Sequence, residues 1–190
     1  MYRNGIKRLL AVILSLCGMI VLSPLLLILC LAIKIDSPGP IFFRQKRVGI
    51  HKQHFNILKF RTMRIDTPHD MPTHMLKDPD QYITRVGHFL RKTSLDELPQ
   101  LLNVVRGEMS LVGPRPIVEA EIAKYGEVYA DYCRVRPGIT GLWQVSGRNN
   151  TTYAERVNLD RYYVTNWCIW MDLWILARTF PVVLTGYGAY

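Results

Sequence analysis

With 190 residues, 49% of them apolar and 21% charged, the chain is long enough to bury a core and too apolar for disorder or a low-complexity fibre. Twenty-four Lys and Arg against 15 Asp and Glu leave a formal net charge of +9, which favours an anionic partner: nucleic acid, a membrane surface or a phosphorylated small molecule. The surplus is confined to residues 1–95, with 15 basic and 5 acidic side chains, whereas residues 96–190 hold 9 and 10. The four cysteines, Cys17, Cys30, Cys133 and Cys168, form no Cys-x-x-Cys pair, which argues against a zinc site or a disulfide framework and for a reducing compartment.

Leu9 to Ile33 is a run of 25 residues without a charged side chain. As one helix it would measure about 37 Å at roughly 1.5 Å per residue, enough for a hydrocarbon core of about 30 Å. Ser23-Pro24 interrupts it near the middle. A proline there removes an N–H and crowds the carbonyl four residues back, so the helix is expected to break, with the Ser23 hydroxyl turning to the freed backbone. Arg3, Lys7 and Arg8 precede the run and Lys34, Arg44, Lys46 and Arg47 follow it. Basic flanks on both sides ask for both ends on the same, cytoplasmic, face. A helix that enters, bends and returns meets both conditions; a kinked spanning helix is the alternative.

The remainder reads as an α+β domain. Pro38-Gly39-Pro40 marks a turn, and Ile41–Phe43 and Phe55–Met63 read as strands around the turn-like stretch 49–53. Period two places Phe55, Ile57, Lys59 and Arg61 on one face. Seven basic and no acidic residues lie between Arg44 and Arg64; a solvated face, a membrane-surface contact and an anion site all fit. Residues 64–80 read as a loop and Tyr82–Lys92 as an amphipathic helix with Ile83, Val86, Phe89 and Leu90 inward.

The stretch 94–107 combines an apolar helical stripe with Ser94 and Glu97 at capping-box spacing, Gly107 as the terminating residue, and Asp96 and Glu97 in the first turn. That placement predicts a carboxylate ionised far below neutral pH, and a phosphate would be welcome beside it; plain helix capping explains the acids equally. In Gly113-Pro114-Arg115-Pro116 the prolines restrict the arginine, as bidentate phosphate recognition requires, although a surface turn has the same pattern. Residues 136–148 form a glycine-spaced loop ending in Arg148 that suits a nucleotide. Residues 160–176 are dense in aromatics that suit either a core or the lipid headgroup level. Asp160 and Asp172 read as helix-surface acids.

Taken together, Ser-Pro-Gly-Pro-Ile-Phe-Phe-Arg-Gln at 37–45, Lys-Phe-Arg-Thr-Met at 59–63, Ser-Leu-Asp-Glu-Leu-Pro-Gln-Leu at 94–101, Ser-Leu-Val-Gly-Pro-Arg-Pro at 110–116 and Arg-Pro-Gly-Ile-Thr-Gly-Leu-Trp-Gln-Val-Ser-Gly-Arg at 136–148 resemble the bacterial sugar transferases, the monotopic phosphoglycosyl transferases. The match is in order over essentially the whole chain, and residues 147–153 are similar to the galactose phosphotransferases of that family. The resemblance implies an α+β fold: a re-entrant membrane helix over residues 1–36, broken at Ser23 and Pro24, and a mainly helical cytoplasmic catalytic domain with a small β-hairpin over 37–190. It implies a monotopic protein of the bacterial inner membrane that uses Mg²⁺. The reaction it implies is transfer of a phosphosugar from a UDP-sugar to undecaprenyl phosphate, with UMP released. On this view Asp96 is the nucleophile, Glu97 holds the metal with it, Lys59, Arg61 and Arg115 bind substrate phosphate, and Arg148 meets the nucleotide. The chain looks like the catalytic unit without the extra membrane helices many relatives carry. A membrane-tethered nucleic-acid binder or a scaffold is the rival; no basic helix interleaved with aromatics supports the former.

Overall fold

A computed structural model describes residues 5–67, 79–147 and 151–185. Helix α1 (Lys7–Val21) and helix α2 (Ser23–Asp36) meet at a 64° bend. Leu22 is the hinge, Pro24 occupies the opening turn of α2, and the Ser23 hydroxyl donates to the Ile20 carbonyl at 2.8 Å. The expected break is therefore present, with the expected polar repair. Among the described residues no single helix is long and apolar enough to cross a membrane, but this bent pair passes that test together.

Neither helix stands free of the rest. Ala11 of α1 is buried with Phe55, Ile57, Val104 and Met109, and Leu29 and Ile33 of α2 are buried with Phe60 and Leu90. Burying an aliphatic side chain of that size contributes about 1.5–3 kcal/mol. The outward faces stay apolar: Leu9, Ile20, Val21, Leu27, Ile28 and Ile35 are all exposed. A contiguous apolar surface of that kind marks a lipid or partner contact.

Strands β1 (Phe42–Val48) and β2 (His54–Phe60) form an antiparallel hairpin in the register Phe42 to Phe60 and Val48 to His54, joined through a 3-10 turn at Ile50–Lys52. Helix α3 (Arg85–Thr93) starts three residues later than the hydrophobic pattern predicts. Thr84 is its N-cap, accepting from Gly87 N, and Ile83 instead pairs with Met63 in a β-bridge. Phe89 faces outward and is 55% exposed.

The predicted helix over 94–107 is divided. Ser94 adopts a left-handed conformation, φ 56°, that closes α3; Leu95–Glu97 form one 3-10 turn; helix α4 spans only Gln100–Arg106 and ends on Gly107 at φ 91°. The capping box does not form, because Ser94 is spent as the end of the preceding helix and its side chain caps nothing.

Strands β3 (Ser110–Val112) and β4 (Gly138–Thr140) make a parallel pair that the sequence pattern did not suggest. Gly113 and Gly138 permit it: a Cβ on Gly138 would sit 2.1 Å from the Gly113 nitrogen. The presumed loop at 136–148 is thus largely ordered backbone, continuing into helix α7 (Leu142–Ser146) after the short helices α5 (Ile122–Tyr125) and α6 (Val128–Tyr132). Helix α8 (Tyr153–Asn166) opens on a Thr152–Glu155 capping box, and helix α9 (Ile169–Thr185) follows. Tyr163 and Trp167 are core residues, as one of the two expected roles requires, whereas Trp170 and Trp174 are exposed.

Two acids that read as surface residues are buried. Asp172 on α9 is 2.9 Å from Lys7 Nζ and accepts from the Tyr163 hydroxyl at 2.6 Å, while Lys7 Nζ lies 4.2 Å from the Trp167 ring centre. Arg8 donates to the Val104 and Val105 carbonyls at the C-terminal end of α4. Lys7 and Arg8 are therefore internal partners rather than surface charges facing lipid. Asp160 on α8 accepts from the Tyr125 hydroxyl at 2.7 Å through Oδ2, and its buried Oδ1 has no hydrogen-bond partner among the described residues.

Removing one partner of a buried ion pair strands the other. Asp172→Ala is expected to lower stability by about 3–5 kcal/mol, whereas Lys7→Met with Asp172→Leu loses much less; thermal unfolding in detergent measures both. Burial pushes the Asp160 carboxyl up to about 7. Its folded form binds the proton more tightly than the unfolded chain, whose Asp pKa is about 3.9. The stability it contributes is full below the unfolded value and is lost as pH rises through the folded one. Raising pH from 5 to 8 is expected to lower the melting temperature of the wild type relative to Asp160→Asn, with the difference levelling off above neutrality. A constant difference across that range would show that the carboxyl does not titrate there.

Candidate active site

The site begins with how the hairpin and α4 are joined. Asn103, fully buried, accepts from Leu58 N at 2.9 Å through Oδ1 and donates to Asn56 O at 2.8 Å and to Glu108 Oε2 at 2.6 Å. An amide satisfied at both ends fixes the register between β2 and α4. Lys59, next along β2, is thereby carried to the 3-10 turn that precedes α4. Its Nζ stands 2.7 Å from Glu97 Oε1 and 3.6 Å from Asp96 Oδ2. Arg115 Nη1 approaches Glu97 Oε1 at 3.7 Å.

The Lys-Phe-Arg-Thr-Met stretch divides its labour residue by residue. Lys59 faces the two carboxylates and Phe60 joins the core beside α2. Arg61 is not brought to the carboxylates. Its guanidinium donates to the Pro38 and Ser37 carbonyls and to Ser37 Oγ, and it lies over Gly39, where a Cβ would be 2.3 Å from Nη1. The Ser-Pro-Gly-Pro turn is thus a cradle for Arg61, at the point where α2 leaves for the hairpin. Thr62 Oγ1 accepts from Arg91 Nε at 2.8 Å, and Arg91 adds positive potential at Asp96. Period two was right about direction only as far as the strand runs, to Phe60.

Asp96 does not have the low pKa expected of a helix-capping acid. Burial raises it; Lys59 opposes that rise, and the neighbouring Glu97 charge adds to it. The reason is geometric: without an α-helix beginning at Ser94, the dipole that would favour the anion is missing, so Lys59, Arg91 and Arg115 must supply the compensation. Arg115 itself is held as its prolines suggest, with Pro114 and Pro137 fully buried and the Pro114 carbonyl accepting from Gly138 N at 2.8 Å. It is therefore part of a packed wall rather than a surface turn.

A concavity with about 220 Å³ of space open to solvent lies beside Asp96, its walls including Arg47, Lys59, Glu97, Gln100, Arg115 and Gly138 but not Asp96 itself. Gln100 is 2% exposed and its Nε2 has no hydrogen-bond partner among the described residues, a donor left for whatever enters. Neither Gln100 nor Arg47 stood out in the sequence; a buried Gln one turn after an acidic pair was the available signal. Arg148 lies outside the described residues.

No group of three or more His, Cys, Asp or Glu side chains capable of holding a metal ion occurs among the described residues. Asp96 and Glu97 nonetheless offer the hard carboxylate oxygens that Mg²⁺ takes, and Mg²⁺ characteristically uses one or two carboxylates and completes its shell with water and substrate phosphates. The donor set fits that metal.

Chemically, the arrangement can place an anion between a carboxylate and two or three cations, which is what nucleophilic attack on a phosphoryl group requires. Comparison with known proteins points the same way. A UDP-galactose-lipid carrier transferase of Erwinia amylovora is 48% identical over 89% of this chain and 38% of its own length. The undecaprenyl-phosphate galactose phosphotransferase of Salmonella typhimurium is 43% identical over 97% of the chain and 42% of its own. A UDP-glucose:undecaprenyl-phosphate glucose-1-phosphate transferase of Caulobacter vibrioides is 45% identical over 97% and 72%. The chain thus spans about two fifths of the length of the first two. The family model for bacterial sugar transferases matches residues 2–186, and the chain belongs to that family.

Proposed function

We propose that the chain transfers a phosphosugar from a UDP-sugar to undecaprenyl phosphate and releases UMP, as the first membrane step in building a glycan such as O-antigen, capsule or exopolysaccharide. The observation that carries this reading is the Asp96–Glu97 pair, bracketed by Lys59 and Arg115 at a cavity. The names of the relatives support it: each describes sugar transfer to a lipid carrier or to undecaprenyl phosphate. Two of them name galactose and one glucose. Together with the stretch at 147–153, that favours UDP-galactose.

In this scheme an Asp96 oxygen attacks the β-phosphorus of the UDP-sugar. The bond from that phosphorus to the bridging oxygen breaks, and UMP leaves with the electron pair. An oxygen of undecaprenyl phosphate then attacks the same phosphorus, and the Asp96 carboxylate is released unchanged. Lys59 and Arg115 hold the diphosphate and balance its charge, and Gln100 donates to an oxygen of it. Glu97 fixes Lys59, which keeps Asp96 from taking the ammonium as a closed ion pair. Asp96 and Glu97 would hold Mg²⁺, which when bound would add to the neutralisation of the diphosphate. Arg61 acts one step away, by fixing the turn that joins the membrane helix to the hairpin.

The membrane reading follows from α1 and α2. Their bend, their outward apolar faces and their packing on the hairpin and on α3 support a reading in which the carboxylates lie near the membrane surface. The second substrate is a lipid phosphate whose reactive end lies at that surface. The protein is read as a monotopic inner-membrane enzyme with its active site on the cytoplasmic side.

Mixed with UDP-galactose alone, the enzyme is expected to release up to one equivalent of UMP and to gain a phosphohexose mass in intact-protein mass spectrometry. Asp96→Asn should abolish both, because the amide lacks the anion, and Glu97→Gln should slow the release without moving the adduct. Release that depends strictly on undecaprenyl phosphate, with no adduct trapped, would replace this scheme by direct transfer between the two substrates.

Cysteine labels introduced near Tyr2 and at Gln45 are expected to react from the same, cytoplasmic, side of intact cells. Labels reacting from opposite sides would establish a spanning helix in place of the re-entrant one.

A further inference from the structure

A second concavity adjoins the first. It has about 370 Å³ of open space against about 220 Å³, and Arg47, Arg115 and Pro116 line both. Its remaining walls are of a different kind: Trp143, Tyr125, Tyr153 and Arg156, with Ile117 and the Glu121 carboxylate. The Arg156 guanidinium lies 4.7 Å from the Trp143 ring centre and that of Arg115 lies 6.0 Å from it, so one indole organises two cations. Tyr153 meets Tyr125 edge to face at 6.2 Å. Flat aromatic and guanidinium faces beside a cluster of positive charge are the recognition chemistry of a nucleobase joined to phosphate.

Arg47 is the residue at the junction. Its Nη1 donates to the Pro116 carbonyl at 2.8 Å and approaches Glu121 at 3.9 Å, while its buried Nε has no hydrogen-bond partner among the described residues. Burial, and after it the like charge of Arg115, lowers the pKa of the Arg47 guanidinium to about 10. Two like-charged guanidiniums that line the same wall are relieved by an anion between them.

The second cavity is built from elements other than the bent helix pair. Its walls come from the end of β1, the 115–117 segment, α5, α7 and α8. The two N-terminal helices pack elsewhere, α1 on α4 and β3 and α2 on α3.

We infer that this second cavity binds the nucleoside of the nucleotide-sugar and that Arg47 binds the α-phosphate and stabilises its charge as the nucleotide monophosphate leaves. The inference rests on the function proposed above. It follows the linear order of such a donor: sugar and β-phosphate at Asp96, α-phosphate at the Arg47–Arg115 junction, base against Arg156 and Tyr153. When the β-phosphorus to bridging-oxygen bond breaks, the electron pair stays on the α-phosphate, two cations from the base-binding end. Arg47, Arg156 and Tyr153 then carry nucleotide recognition.

Binding of UMP to the full-length, detergent-solubilised chain, measured by calorimetry, tests the placement. Arg156→Ala is expected to weaken UMP by about tenfold or more, the range that loss of one base-stacking partner produces, and to raise the KM for the UDP-sugar by a similar factor while kcat and the KM for undecaprenyl phosphate stay near wild type. Arg47→Lys keeps the charge but not the fork, and is expected to lower kcat for UMP release at least tenfold. Trp143→Phe, which preserves the packing, should weaken UMP less than Arg156→Ala does. Unchanged UMP affinity in Arg156→Ala, or a change confined to undecaprenyl phosphate, overturns the placement while leaving the transfer reaction standing. A wild-type chain that neither binds UMP nor releases it from any UDP-sugar overturns both.

Discussion

Two adjacent carboxylates sit largely out of water, and the groups around them make that tolerable. An acid pair so placed repels itself and prefers its protons. Lys59 between the two, Arg115 beyond Glu97 and the nearby Arg91 offset that tendency. None of the three cations comes from the acids' own segment. Each is delivered by a different element, β2, the 114–116 segment and α3, so the site exists only when the whole fold is assembled.

The delivery is rigid because each carrier is held by backbone groups. Asn103 locks β2 to α4, and Arg8 caps the far end of α4 from the membrane helix. The close approach of Gly113 and Gly138 locks the Arg115 segment to β4. Helix α3 is started by α2, since Asp36 Oδ2 accepts from Val86 N at 3.0 Å, and its last residue, left-handed Ser94, turns the chain directly into the acidic pair. From the end of the membrane helix to the carboxylates there is one helix and one turn. The placement of α2 thereby sets the position of the carboxylates.

What the sequence revealed and what it hid follow from the range of the forces involved. The break at Ser23-Pro24 and the hairpin between Phe42 and Phe60 were legible because proline chemistry and strand alternation act over a few residues. The division of 94–107 was not, although Ser94 and Glu97 have the right spacing for a capping box. Whether a serine caps the next helix or closes the previous one depends on where the previous helix ends, and that is decided by Thr84 and Asp36 at its start. Arg61 was misdirected for a similar reason: alternation holds inside β2, but Arg61 lies one residue past its end, where the Gly39 turn captures it. Asp160 and Asp172 have the pattern of surface acids because their partners, Tyr125, Lys7 and Tyr163, are distant in sequence. The β3–β4 pair is three residues a side, too short for any periodicity.

The same reasoning explains why a net charge of +9 says little by itself about the partner. Lys7, Arg8, Arg61 and Arg47 all count toward it, yet Lys7 is spent on Asp172, Arg8 on helix carbonyls and Arg61 on a turn. Of these four only Arg47 lines a cavity. A diffuse basic surface would bind any polyanion, with affinity falling steeply in salt. Here the cations nearest the acids are few, buried to differing degrees and aimed at one place. Charge arranged in that way selects for a small, densely charged group whose negative oxygens match the spacing of the donors, and the paired carboxylates beside it select further for a group that is itself electrophilic. A phosphoanhydride meets both conditions; a nucleic-acid backbone, an extended polymer with one charge per phosphodiester and no activated phosphorus, meets neither.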